Sequence, residues 1–228
     1  MFELVADEAD FVVINKADNC NFHSEDGEAG LVVEVERALS LKLYSVHRLD
    51  KMTSGILILA KSSTAAAAFT QLFAQRKMSK FYLALSMQKP NKKQGLIKGD
   101  MEKSRRGSWK LTKSQHNPAV TQFFSQSLVP GIRLYLLKPA TGKTHQLRVA
   151  LKSIAAPILG DMRYGQDESD RGYLHAYQLS FRYGEKDYFY QVAPSRGDWF
   201  MRPECQQQLQ ALGDLSHLNW PEINTTYS

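Results

Sequence analysis

The spacing of hydrophobic positions along this 228-residue chain changes period several times, and each change predicts an element. Short apolar runs read as strands at DFVVINK (10–16), YSV (44–46), GILILA (55–60) and KFYLALSM (80–87). VTQFFSQSLV (120–129) and IRLYLLKP (132–139) flank Pro130-Gly131, a turn signal that predicts a hairpin. LHAYQLSFRY (174–183) and YFYQVA (188–193) predict a second hairpin around Gly184–Asp187. Helical spacing appears in EAGLVVEVERALS (28–40), with Leu31, Val35 and Leu39 on one face. It returns over 64–78, where Phe69, Leu72 and Phe73 form a stripe and Ser62 or Ser63 supplies the cap. THQLRVALKSI (144–154) predicts a helix capped by Thr144, and PECQQQLQAL (203–212) one that starts on proline. No repeat interrupts this order, and no linker is long enough to separate two domains. The expectation is a single α+β domain with a mixed, largely antiparallel sheet flanked by helices.

One junction in this pattern is chemically odd. The polar stretch HRLDKMTSG (47–55) runs directly into the apolar Ile56–Ala60. A carboxylate at the mouth of a buried strand opposes burial unless it is paired or used. Asp50 is therefore either a satisfied structural ion or a reactive group.

Charge adds a second asymmetry. The net charge is +6, unevenly spread. Residues 1–40 hold ten acids against Lys16 and Arg37, whereas residues 76–113 hold twelve bases against Asp100 and Glu102. The basic stretch, interrupted by Trp109 and glycines, fits a solvated loop or a surface that contacts phosphates through counterion release. No stretch reaches the roughly 18 apolar residues of a membrane span. The acidic start, MFELVADEADFVV, lacks the basic region of a signal peptide, so a cytoplasmic protein is expected. Cys20 and Cys205 stand far apart without a Cys/His cluster, which argues against a disulfide framework and a zinc site.

Two further polar clusters follow the first: ATGKTHQLRVA (140–150) and LGDMRYG (159–165). His47–Gly55, Lys80-Phe81-Tyr82, Gly142–Arg148 and Leu159–Gly165 together resemble, in order, the motifs HRLDxxTSG, KxY, G-[RK]-T-H-Q-[IL]-R and LGDxxYG of the RluA family of pseudouridine synthases. The resemblance spans about residues 10 to 195, leaving a helical extension over 196–228. No separate N-terminal RNA-binding domain is expected before Asp10. The kinase reading of His-Arg-Asp fails, because Leu49 separates Arg48 from Asp50 and neither a glycine-rich phosphate loop nor a DFG segment is present.

The resemblance implies an isomerase that cuts the N1–C1′ bond of a uridine in tRNA or rRNA, turns the base and joins C5 to C1′. No redox change or group donor enters, so no cofactor and no metal is expected. It implies Asp50 as the essential carboxylate, leaving open attack on the sugar, attack on the base, or abstraction of a ribose proton. Tyr82 would stack on the uracil and take the C5 proton. Arg148 would pair with Asp50, a task suited to a guanidinium. Arg48 would fill the space left by an extruded uridine. His47, Thr53, Ser54, Lys143 and His145 are expected as further RNA contacts, with Lys92, Lys93, Arg105 and Arg106 on the basic segment. Asp161 and Tyr164 would shape the floor of a central RNA cleft, and a monomer is expected. Two rivals stand beside this reading. A catalytically silent RNA-binding protein would not need Asp50, Tyr82 and Arg148, and a nucleoside glycosidase would need two carboxylates, for which only Asp50 and Asp161 are candidates. The chain departs from the family at 16–23, where Lys16 and His23 remain but Pro and Gly are lost, and at Ala150, where the family has His.

Overall fold

Every residue of the run Ser54–Ala60 is buried, which marks a strand covered on both faces. The computed structural model describes residues 1–22, 29–165 and 167–223. In chain order its elements begin with β1 (Phe2–Asp7), β2 (Phe11–Lys16), α1 (Leu31–Leu39), β3 (Tyr44–Ser45) and β4 (Ser54–Ala60). There follow α2 (Ser63–Ala74), β5 (Met78–Ser86), β6 (Gln94–Gly99), β7 (Met101–Lys103) and β8 (Trp109–Leu111). The remainder is β9 (Ala119–Val129), β10 (Ile132–Pro139), α3 (Gln146–Ser153), β11 (Leu174–Tyr183), β12 (Lys186–Gln191) and α4 (Pro203–Ala211).

These elements form two compact units, one of residues 1–80 and 174–195, the other of 81–173 and 196–228. Because the two are interleaved along the chain, no linker composition marks the division. In the first unit the strand order is β1-β2-β4-β11, with β12 on β11. Among the described residues only β4 and β11 run parallel there; the other pairs within the units are antiparallel. The fold is α+β with mixed, largely antiparallel pairing, as the sequence predicts.

Aromatic side chains fill the core of the first unit. The Phe11 ring meets Phe69 of α2 edge-on at 5.1 Å, and Phe69 stacks on Tyr183 at 4.9 Å. Phe11 and Phe69 are fully buried, and burial of each is worth about 2 to 3 kcal/mol. The second unit pairs β5-β10-β9-β6, and β7 with β8 form a separate ribbon. Its C-terminal segment packs Trp220 against Phe124 and Phe81, and Gln122 donates to the Pro221 carbonyl.

Three departures from the sequence reading have local causes. β1 lies at the edge of the strand array with four of its six residues exposed, so its apolar Leu4 and Val5 mark no buried face. α2 stops early: Arg76 takes a left-handed conformation (φ 57°), and the buried Met78 opens β5 instead of extending the helix. α3 begins after His145, also left-handed, and Thr144 is not its cap. The start of the first predicted helix, at Glu28, lies outside the described residues.

Candidate active site

In the first unit the polar nonapeptide is held from below by a lysine. Lys16 ends the apolar strand β2 and is wholly buried. Its ammonium donates to the carbonyls of Ala17 (2.9 Å), Lys51 (3.1 Å) and Thr53 (2.8 Å). Three acceptors for three donors allow the charge to stay out of water. The Thr53 N–H donates to the Asp50 carbonyl at 2.9 Å, closing a turn that carries the Asp50 side chain. Gly55 follows at φ +107°, and a Cβ there would lie 2.2 Å from the Ala176 carbonyl oxygen. Only glycine lets β4 approach β11 at the register Ser54↔His175 and Gly55↔Ala176.

Several side chains expected on RNA are instead part of this frame. Ser54 is 4% exposed, and its hydroxyl lies 2.7 Å from Nδ1 of His175. The Nε2 of His175 lies 2.7 Å from the Val192 carbonyl, which only accepts. The proton therefore sits on Nε2, and Nδ1 takes the Ser54 hydroxyl hydrogen. Thr53 is 2% exposed. The Nε2 of His47 accepts the Ile58 N–H at 3.0 Å, and its ring lies 4.7 Å from that of Phe73. Burial and, second, the positive charge of Lys80 push the His47 pKa down to about 3. His47 is thus a neutral strut for β4, not a cation for phosphate. Arg48 is exposed and Asp50 half-buried. His23 lies outside the described residues.

In the second unit Arg148 is 7% exposed on α3 and makes a bidentate ion pair with Asp161. Nε reaches Oδ2 and Nη2 reaches Oδ1, each at 2.8 Å. Oδ1 also accepts the N–H groups of Arg163 (3.0 Å) and Tyr164 (3.2 Å). Asp161 is fully buried, so it holds a guanidinium in place and is no floor residue open to substrate. The Arg148 guanidinium also lies over the Tyr164 ring, 5.0 Å from its centroid. Tyr82 is half-buried on β5, in register with Leu137 of β10. Lys92 and Lys93 are exposed between β5 and β6; Arg105 and Arg106 are exposed at the tip of the β7–β8 ribbon.

Gln146 fixes the segment before α3. Its carbonyl accepts from the Thr141 hydroxyl (2.7 Å) and the Lys143 N–H (3.0 Å). Its amide donates to the Val120 carbonyl and the Thr121 hydroxyl, both at 3.0 Å. Lys143 and His145 are therefore half-buried on a braced loop. Ala150 is 3% exposed, on the buried side of α3. Sequence reading names Lys16 and Asp161 and quotes Gln146 within its motif without finding their frame roles, and it misses His175. A lysine closing the largely apolar run FVVINK and an aspartate inside LGDMRYG are the available signals. Among the described residues no group of three or more His, Cys, Asp or Glu is placed to hold a metal ion. Among them, too, no helix is long and apolar enough to cross a membrane.

The family model described as RNA pseudouridylate synthase matches residues 10–153, a span that includes Asp50, Tyr82 and Arg148. A Haemophilus influenzae protein named as an uncharacterized RNA pseudouridine synthase is 50% identical over 211 residues, covering 91% of this chain and 94% of that one. The ribosomal large subunit pseudouridine synthase C of Haemophilus ducreyi is 32% identical over 187 residues, covering 75% of this chain and 58% of its own. The same-named protein of Rickettsia bellii is 38% identical over 139 residues, which are 58% of this chain and 46% of that one. The chain thus spans about half the length of these two named relatives. Among solved structures, human RNA pseudouridylate synthase domain containing 1 shares the fold, with a TM-score of 0.76 over 98% of this chain and 97% of that one at 24% identity. With the match to the family model across most of its length, this chain belongs to the RNA pseudouridylate synthases, a family of RNA-modifying isomerases.

Proposed function

We propose that this chain isomerises a uridine of tRNA or rRNA to pseudouridine, with Asp50 as the essential carboxylate. The observation that carries the reading is the Lys16-clamped turn, which presents the Asp50 side chain at the end of a fully buried strand. A rigid turn holds a reacting group in one geometry, and positioning of that kind supplies much of a catalytic effect. Tyr82 stacks on the target base and takes its C5 proton. Arg148 supplies a fixed cation, pre-oriented by its bidentate pair with Asp161. Arg48 occupies the space left when the uridine leaves its stack. The names of two relatives refer to the large ribosomal subunit, which favours rRNA among the substrates. The pairing of Asp161 with Arg148 weighs against a glycosidase, because the second carboxylate which that chemistry needs is fully buried.

The test is Asp50→Asn, assayed by tritium release from RNA labelled at uridine C5. Release should fall at least a hundredfold while RNA binding persists. Activity within tenfold of wild type would move the catalytic role to another residue.

A further inference from the structure

The Leu159–Gly165 turn does more than hold Arg148. Its backbone is fixed to the strands of the second unit: Leu159 N–H donates to the Leu85 carbonyl, and Tyr173 N–H to the Leu159 carbonyl, both at 2.9 Å. Gly160 (φ +75°) packs so closely that a Cβ would lie 1.9 Å from the Arg171 carbonyl oxygen. From this anchored turn two side chains reach the β7–β8 ribbon. The Tyr164 hydroxyl accepts the Trp109 N–H at 2.9 Å. Arg163 donates from Nη1 to the Arg106 carbonyl at 2.7 Å. The Tyr164 hydroxyl also lies 2.8 Å from Nδ1 of His145. The hydroxyl keeps a hydrogen and a second lone pair after accepting from Trp109, so it meets His145 as donor or acceptor according to the imidazole tautomer.

The ribbon needs such ties. Three residue pairs join its strands, Met101↔Leu111, Glu102↔Lys110 and Lys103↔Trp109. A two-stranded hairpin of that size is marginal on its own in water. Its tip places Arg106 (φ 54°) and Gly107 (φ +69°) in left-handed conformations, and leaves Arg105 and Arg106 exposed. Arg163, itself exposed, touches the same tip and spends one of a guanidinium's five N–H donors there.

We propose that Arg163 joins Arg105 and Arg106 as a third arginine contacting RNA phosphates, and that the Tyr164 hydroxyl is the positioning group that holds this ribbon on the frame carrying His145 and Arg148. Three guanidinia on one tip suit phosphodiester oxygens. The inference deepens the RNA-modification reading and rests on it. Loss of the hydroxyl frees the ribbon while the Tyr164 ring stays beneath Arg148.

Tyr164→Phe and Arg163→Gln, made in the full chain, test it. Limited trypsin digestion should cut Tyr164→Phe after Lys103, Arg105 or Arg106 several times faster than wild type. In tritium-release assays on C5-labelled RNA its KM should rise at least fivefold, with the loss falling on KM and not on kcat. Arg163→Gln should reduce the log–log salt slope of binding to a fluorescent RNA stem-loop by about 0.7 to 0.9, the value for one phosphate left unneutralised. Wild-type digestion and KM for Tyr164→Phe would overturn the positioning role; an unchanged slope for Arg163→Gln would overturn the phosphate contact. Arg163 is exposed, so its variant keeps the proposal testable should Tyr164→Phe fold poorly. Digestion and salt slope do not require turnover. A wild-type chain that releases no tritium would count against the enzymatic reading and leave these two measurements standing.

Discussion

His47 shows how one side chain can carry a family motif and still serve the fold. It is a neutral acceptor for the Ile58 N–H, its pKa driven to about 3 by burial and by Lys80. Its unfolded value is near 6.5. A base whose folded pKa is depressed binds its proton in the unfolded chain first. Stability is therefore complete above about pH 6.5 and is lost as pH falls from there toward 3. At pH 5 the loss from this group should be about 2 kcal/mol. Urea unfolding of wild type and His47→Gln at pH 7 and pH 5 checks it, because Gln keeps an acceptor and does not titrate. Wild type should lose more stability than the variant between the two pH values; parallel losses would assign the titration to another group. Lys16 makes the complementary point, a charge kept buried because three carbonyls replace its water.

At the scale of elements, most of the fold was legible because period and punctuation agreed. Ser62 precedes an apolar stripe, and in the structure its hydroxyl accepts the Ala65 N–H at 3.1 Å at the start of α2. Ser62→Ala should lower stability by about 1 kcal/mol, read as a shift in the urea midpoint with an unchanged m value. The hairpin around Pro130-Gly131 was equally plain, with Gly131 at φ +83°. What was hidden depends on pairing across distant sequence. β1 is short and mostly exposed, and its pairing with β2 is what marks it as a strand. α3 starts late because Gln146, whose motif says nothing of its partners, binds Lys143 and β9 together. The site divides in the same way. The motif order pointed to Asp50, Tyr82 and Arg148, whereas the use of Thr53, Ser54 and His47 as internal struts and of Asp161 as the partner of Arg148 follows from burial that no local pattern encodes.

For the whole molecule, charge is the property that reaches furthest. Lys92, Lys93, Arg105 and Arg106 are exposed in the basic segment of a chain with net charge +6. Their joint replacement by Ala should weaken RNA binding and flatten its salt dependence, by about 0.7 to 0.9 in log–log slope for each phosphate no longer neutralised. Fluorescence anisotropy over a salt series measures it, and an unchanged slope would leave the segment as a solvated loop. The interleaving of the two units has its own consequence, one in time. The first unit draws on residues 1–80 and 174–195, and Ser54 meets its histidine partner 121 positions downstream. At about 5 to 20 residues per second, translation takes roughly 6 to 24 s to cross that gap. During that interval the nascent chain already carries the Asp50 loop without the strand that braces it. A product released before residue 175 would hold the whole HRLDKMTSG stretch and lack its brace, so truncation would strike the site before it removed any of the three residues proposed for the chemistry.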